Sequence, residues 1–166
     1  LGNAATNVAY PLSTICLSYG LLIGVGSASN FSLKLGAGKK EEACQIIANG
    51  AFYLIAGGLL LTLVVLCFLD PMLRAFGATE NVLPYAKTYT SITSIGFPAF
   101  IITLGGAHIV RADGSPTFAM IISITGAVLN FGLDALFIFG FGMGIAGAAW
   151  ASITGQFVSA GMIIWF

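Results

Sequence analysis

Charge is what this sequence has least of. Of 166 residues, six are Lys or Arg and six are Asp or Glu, 7% in all with no net charge, where soluble domains carry about 25%. Twelve charges cannot build the polar exterior that a soluble fold of this size needs, so a soluble enzyme domain is excluded. There is no basic excess to hold a nucleic-acid backbone, and nucleic acid is not an expected partner. Histidine occurs once, and Cys16, Cys44 and Cys67 have neither metal-ligand spacing nor an implied disulfide. No HExxH motif and no nucleophile–base pair occur. The small-residue run Gly24–Ser29 follows no strand and precedes no Gly-Lys-Ser/Thr, so it is no phosphate loop. An enzyme is not expected, and neither is a cofactor.

Apolar residues make up 58% of the chain, and there are 22 glycines. A mean hydropathy of +0.99 places the chain in a bilayer, where glycine is common in helices. Long apolar runs without alternation exclude a β-barrel. The fold class expected is an all-α integral membrane protein, a polytopic helical bundle. Crossing the hydrocarbon needs about 20 residues. Charge-free stretches predict five spans, at about 9–33, 43–69, 85–110, 116–140 and 145–166. The turns between them carry glycine and charge: Leu35–Glu42 after the first span, Arg111–Pro116 after the third, and Phe139–Gly144 after the fourth. Asp70-Pro71 predicts an N-cap and first turn of a short interfacial helix from Pro71 to Phe76, ended by Gly77.

Lys34, Lys39, Lys40 and Arg111 fall on one side, Arg74 and Lys87 on the other. The excess places the Lys34–Glu42 and Arg111–Pro116 turns in the cytoplasm. Tyr10, Tyr85 and Tyr89 are then expected in the outer aromatic belt. The chain opens without Met or a signal pattern and stops at Trp165-Phe166 with no polar flank. It is expected to be part of a longer membrane protein.

Every charge but one falls in a turn or near a span end. The exception is Asp134, four residues after Asn130 and on the same helix face. A charge at membrane depth costs about 2.5–3.5 kcal/mol even on insertion scales, so such residues are functional candidates. The pair offers two or three oxygen ligands for Na+, or one proton-accepting carboxylate backed by an amide. Burial raises a carboxylate pKa and a nearby cation lowers it, and that competition is the physical basis of ion coupling. The bland alternative is an Asp that reaches interfacial water. The last span adds Ser152, Thr154 and Gln156, of which Ser152 and Gln156 share a face. From the residues alone, packing is the favoured role for each of these three. His108 sits near a helix C-terminus, where it suits the helix dipole. Pro98 is expected to kink the third span and is a candidate hinge.

These residues, read together, resemble a known family. Arg111-Ala112-Asp113-Gly114-Ser115-Pro116 with Ala119-Met120, Gly126–Asn130 with Leu133-Asp134, and Met143–Ala149 with Ser152 and Gln156 keep the order and spacing of MATE multidrug exporters. Leu35-Gly36-Ala37-Gly38 with Ala43 resembles the turn after that family's second helix. The bacterial branch with the staphylococcal-type and DNA-damage-inducible exporters is the most similar. The resemblance implies helices two to six of a twelve-helix transporter, a partial N-terminal lobe whose first helix and C-terminal lobe lie outside this chain. It implies alternating-access export of cationic, amphipathic drugs or toxic metabolites against H+ or Na+, in a bacterial inner membrane. It maps the N-lobe cation site onto Asn130 and Asp134, with Ser152 where Thr is usual and Thr154 as an alternative. Arg111, Asp113, Gly114 and Pro116 would serve assembly and orientation. Two alternatives stand beside this reading, a lipid-linked oligosaccharide flippase of the same superfamily and a non-transporting membrane assembly subunit.

Overall fold

The computed structural model describes residues 2–166. Its elements are α1 (Gly2–Gly36), α2 (Lys40–Cys67), α3 (Leu69–Ala75), α4 (Leu83–Ile95), α5 (Phe97–Ala112), α6 (Pro116–Ala135), a π-helical turn (Leu136–Gly140) and α7 (Gly144–Trp165), with no strand among the described residues. Helices α1, α2, α6 with its π-helical turn, and α7 are each long and apolar enough to cross a bilayer. The α4 and α5 pair, bent by 51°, passes the same test jointly, which gives four spans, or five where the bent pair is one span. The helices lie within a few residues of most of the expected bounds. The first is longer than expected, and Pro11 lies within it.

Helix ends follow from turn chemistry. At Gly38 the backbone turns left-handed (φ 76°), so that Lys39 N donates to Lys34 O and Gly38 N to Leu35 O, closing α1. Gly114 (φ 87°) closes α5 in the same way, with Ser115 N on Val110 O and Gly114 N on Arg111 O. Pro116 then opens α6 in its first turn. Both turns lie at one end of the bundle, since α2 and the α4–α5 pair carry the chain there and back. Arg111 and Asp113 are exposed in that turn. At the other end the short helix differs from expectation. It begins at Leu69 with Phe68 at the N-cap, and Asp70 sits inside its first turn. The reason is that Asp70 accepts from Lys87 Nζ at 2.6 Å instead of capping the backbone.

Helix α1 packs on α5 and α2, and α6 packs on α7. Between helices in lipid there is no hydrophobic driving force, so close approach and dispersion hold them together. Glycine supplies the approach. A Cβ on Gly24 would overlap the backbone of Gly105, whereas one on Gly26 would meet nothing. Leu12, Cys16, Leu54, Phe97 and Ile101 fill the core beside this contact, with Cys16 acting as a small apolar side chain. Cys44 and Cys67 are free and exposed. Leu22, Phe131, Phe139 and Trp165 face outward.

The third span departs from its expected form. It is two helices separated at Gly96, with Pro98 in the first turn of the second, rather than one helix kinked at Pro98. Proline has no N–H to return to the carbonyl four residues back, here that of Ser94, and its ring crowds that carbonyl. Ser94 is fully buried, and its carbonyl is met by α2, where Thr62 Oγ1 donates to it at 2.8 Å. Gly58, one turn before Thr62, lets the Pro98 ring lie against α2: a Cβ there would come within 2.6 Å of Pro98 Cα.

Two neighbouring glycines should therefore respond in opposite ways. Gly24→Ala must push α1 off α5 and should lower stability by about 1–3 kcal/mol, the usual range for overpacking. Gly26→Ala should be neutral or gain up to about 1 kcal/mol of helix propensity. Thermal unfolding of the two variants in detergent checks this, and equal midpoints would refute the contact.

Candidate functional site

Helix α6 carries Asn130 and Asp134 one turn apart, and α7 can lie directly against them because both helices have glycine at the crossing. A Cβ on Gly155 would come to 2.9 Å from Gly126 O and 3.5 Å from Asn130 N. The approach brings Ser152 to Asn130, at 3.0 Å between Oγ and the amide. The amide satisfies both of its ends in one orientation. Its nitrogen then donates to Asp134 Oδ2 at 3.2 Å, and its oxygen accepts from Ser152 N at 3.2 Å and Ser152 Oγ at 3.0 Å.

The other carboxylate oxygen, Asp134 Oδ1, is buried and has no hydrogen-bond partner among the described residues. No ion pair involves Asp134 among the described residues, whereas Asp70, Glu42 and Glu80 are each paired. The other buried side-chain oxygen without a partner among the described residues is Thr90 Oγ1. In this orientation, assigned from the hydrogen-bond network, Asn130 turns its amide nitrogen toward Asp134.

Helix α4 adds a residue that the sequence reading did not assign to the site. Tyr10 and Tyr85 are exposed, whereas Tyr89 is half-buried. With Ser13, Thr93, Phe97, Ser152 and Gln156 it lines a cavity of about 90 Å³ between α1, α4, α5 and α7. At about 30 Å³ per water this space holds about three waters. It is well below the roughly 300–1,000 Å³ of drug-sized pockets. The available signal was the hydroxyl-rich stretch Thr88–Ser94. It is ambiguous, because Thr88, Ser91, Thr93 and Ser94 all bond carbonyls of their own helix. A more open groove, of about 390 Å³, runs along α5, α6 and α7 past Thr103, Ser123, Asn130, Ser152 and Gln156.

The remaining sequence candidates separate. Gln156 borders both spaces, and its side chain rests on the α4–α5 break, where a Cβ on Gly96 would lie 2.9 Å from Oε1. Thr154 is exposed on the far face of α7 and donates to Trp150 O at 2.8 Å. The geometry therefore gathers Asp134, Asn130, Ser152 and Gln156 with Tyr89 and leaves Thr154 out. Pro98 lies behind the cluster, and Arg111, Asp113, Gly114 and Pro116 lie at the end of the bundle. No group of three or more His, Cys, Asp or Glu side chains that could hold a metal occurs among the described residues. A single carboxylate with one open oxygen suits a single positive charge.

Comparison with known proteins agrees with this architecture. The MatE family model matches residues 3–136. The multidrug export protein MepA of Staphylococcus aureus is 30% identical over 146 residues, covering 88% of this chain and 32% of that protein. An FAD transporter of Shewanella oneidensis is 28% identical over 157 residues, covering 90% of this chain and 34% of its own length. The solved inward-facing structure of a multidrug resistance MATE family transporter of the MOP superfamily superposes with a TM-score of 0.93 at 26% identity, covering 99% of this chain and 37% of that one. The chain spans about a third of the length of these relatives. It belongs to the MatE family, whose members are membrane transporters and not enzymes.

Proposed function

We propose that the full-length protein is a secondary multidrug exporter of a bacterial inner (plasma) membrane. In this reading it exchanges cationic, amphipathic drugs or toxic metabolites for H+ or Na+ by alternating access. This chain forms most of the N-terminal lobe, and a C-terminal lobe of the same protein completes the cavity. The observation that carries the reading is the Asp134 carboxylate, positioned by Asn130 and Ser152 yet left with one buried, unpartnered oxygen.

Each partner of the cluster has a distinct task. Asp134 receives the ion. Asn130 holds the other carboxylate oxygen and is itself fixed by Ser152, so an event on α6 is felt on α7. A proton needs only the open Oδ1. Sodium would need further oxygens, from waters in the adjoining cavity or from an Asn130 amide turned over at the expense of its Ser152 contacts. Ion and drug then favour different lobe conformations, and binding one weakens the other by linkage. No Lys or Arg lines the cavity or the groove that Ser152 borders, which supports a cationic cargo. The anionic groups of FAD or of a lipid pyrophosphate would have no counter-charge here.

The test is ethidium efflux by the full-length protein in vesicles energised by an H+ or an Na+ gradient, each applied separately. Asp134→Asn should reduce ion-driven efflux at least tenfold under the gradient that drives the wild type. Unchanged efflux would overturn the role of Asp134.

A second comparison tests the assignment on α7. Ser152→Ala should weaken efflux several-fold by releasing the Asn130 amide, Ser152→Thr should retain it, and Thr154→Val should match the wild type. Equal loss from Thr154→Val and Ser152→Ala would contradict the cluster as drawn.

A further inference from the structure

The break in the third span joins two parts of the molecule that the ion site alone does not connect. On one side of it, Thr62 of α2 meets the Ser94 carbonyl that Pro98 cannot serve. On the other, Gln156 and Ile153 of α7 press on Gly96 at the vertex. The outer arm of the bend, α4, carries Tyr89 and Thr93 across the cavity from Ser152.

We propose that Thr62 is a positioning residue for the ion site. By supplying from α2 the hydrogen bond that residue 98 cannot give Ser94 O, it sets the bend of the α4–α5 span and thereby the placement of Tyr89 across the cavity from Ser152. The inference rests on the ion-coupled reading for its functional consequence, but not for its structural content.

At the break the Gly96 N–H is divided between Ser94 O and Thr93 O, so Thr62 Oγ1 is the donor that reaches Ser94 O from another helix. An unmet carbonyl in a membrane interior is costly, and hydroxyl side chains are the usual substitute for a lost backbone donor. Thr62 Oγ1 has one proton and two carbonyls within reach, Ser94 O at 2.8 Å and its own helix's Gly58 O at 3.0 Å. A hydroxyl shared between two such partners is a two-position contact. With the proton on Ser94 O the bend is tied to α2, and with it on Gly58 O the bend is free.

The lever is long enough to matter. Tyr89 lies seven residues from Gly96, about 10 Å along a helix. A change of about 10° in the bend would move it by about 2 Å, and a misplacement of about 1 Å can cost a factor of about 10² in rate. Removing the Thr62 hydroxyl therefore acts on the site from a neighbouring helix, without touching any group that would meet the ion.

The experiment uses the full-length protein in proteoliposomes, with Thr62→Val and Thr62→Ser made in the wild type and in Pro98→Ala. Two quantities are measured. One is the concentration of driving ion that gives half-maximal ethidium efflux. The other is the distance between spin labels at positions 88 on α4 and 157 on α7, read by electron paramagnetic resonance in a cysteine-free background. Thr62→Val should shift the half-maximal ion concentration threefold or more and broaden or shift the distance, while Thr62→Ser should behave as wild type. In Pro98→Ala, where residue 98 regains an N–H for Ser94 O, Thr62→Val should be silent in both measurements. The proposal is overturned if Thr62→Val leaves both quantities unchanged, if Thr62→Ser is as damaging, or if Thr62→Val has the same effect in both backgrounds. Should Asp134→Asn, run in parallel, leave efflux intact, the ion reading fails, and the distance measurement alone still decides the role of Thr62.

Discussion

Inside a bilayer every backbone N–H and C=O must find its partner within the protein, because no water is there to supply one. This demand organises the molecule. It makes the spans helical, and it lets hydroxyl side chains be absorbed by their own helices, as Thr14, Ser18, Thr88, Ser91 and Ser123 are. Where Pro98 takes a donor from Ser94 O, a second helix supplies one. At Pro98 that donor is Thr62, so the break in α4–α5 is a tertiary contact as much as a local bend. The same accounting isolates Asp134. Among the described residues two buried side-chain oxygens lack a partner, Thr90 Oγ1 and Asp134 Oδ1, and the second, on a carboxylate, supports the proposed ion role.

Glycine is the second condition, because the polar contacts exist only where helices come close enough to make them. At the α6–α7 crossing, Gly126 and Gly155 bring Asn130 within reach of Ser152. At the α1–α5 crossing, Gly24 and Gly105 bring the backbones together and fix the wall on which α4 and α5 turn. A larger side chain at either place would separate elements whose hydrogen bonds operate over about 3 Å.

The spans and their turns were legible in the sequence because two strong local signals, charge and glycine, mark them, and left-handed Gly38 and Gly114 stand where those signals are. Asn130 and Asp134 were legible for a related reason: a four-residue spacing on a helix is a statement about one face. Ser152 and Thr154 were not separable, since two residues two apart point to different faces and only the neighbour's position tells which face is inside. Tyr89 was read only as an aromatic near a span end; that it also lines a cavity with Ser152 depends on how α4 and α7 pack beside the 51° bend. Contacts of that kind leave no periodic trace.

The energetics also bear on why one carboxylate is not enough on its own. Relieving a charge at membrane depth is worth about 2.5–3.5 kcal/mol on insertion scales, or about two decades in an equilibrium constant. Converting a conformational equilibrium from 1:99 to 99:1 needs about 5.5 kcal/mol of differential binding. In the proposed exchange, ion binding at Asp134 could therefore supply roughly half of a complete switch. The remainder must come from the opposite preference of the cargo. An exporter built this way would idle when only one of its two ligands is present, and obligatory exchange would follow from the scarcity of charge in the span rather than from a separate gate.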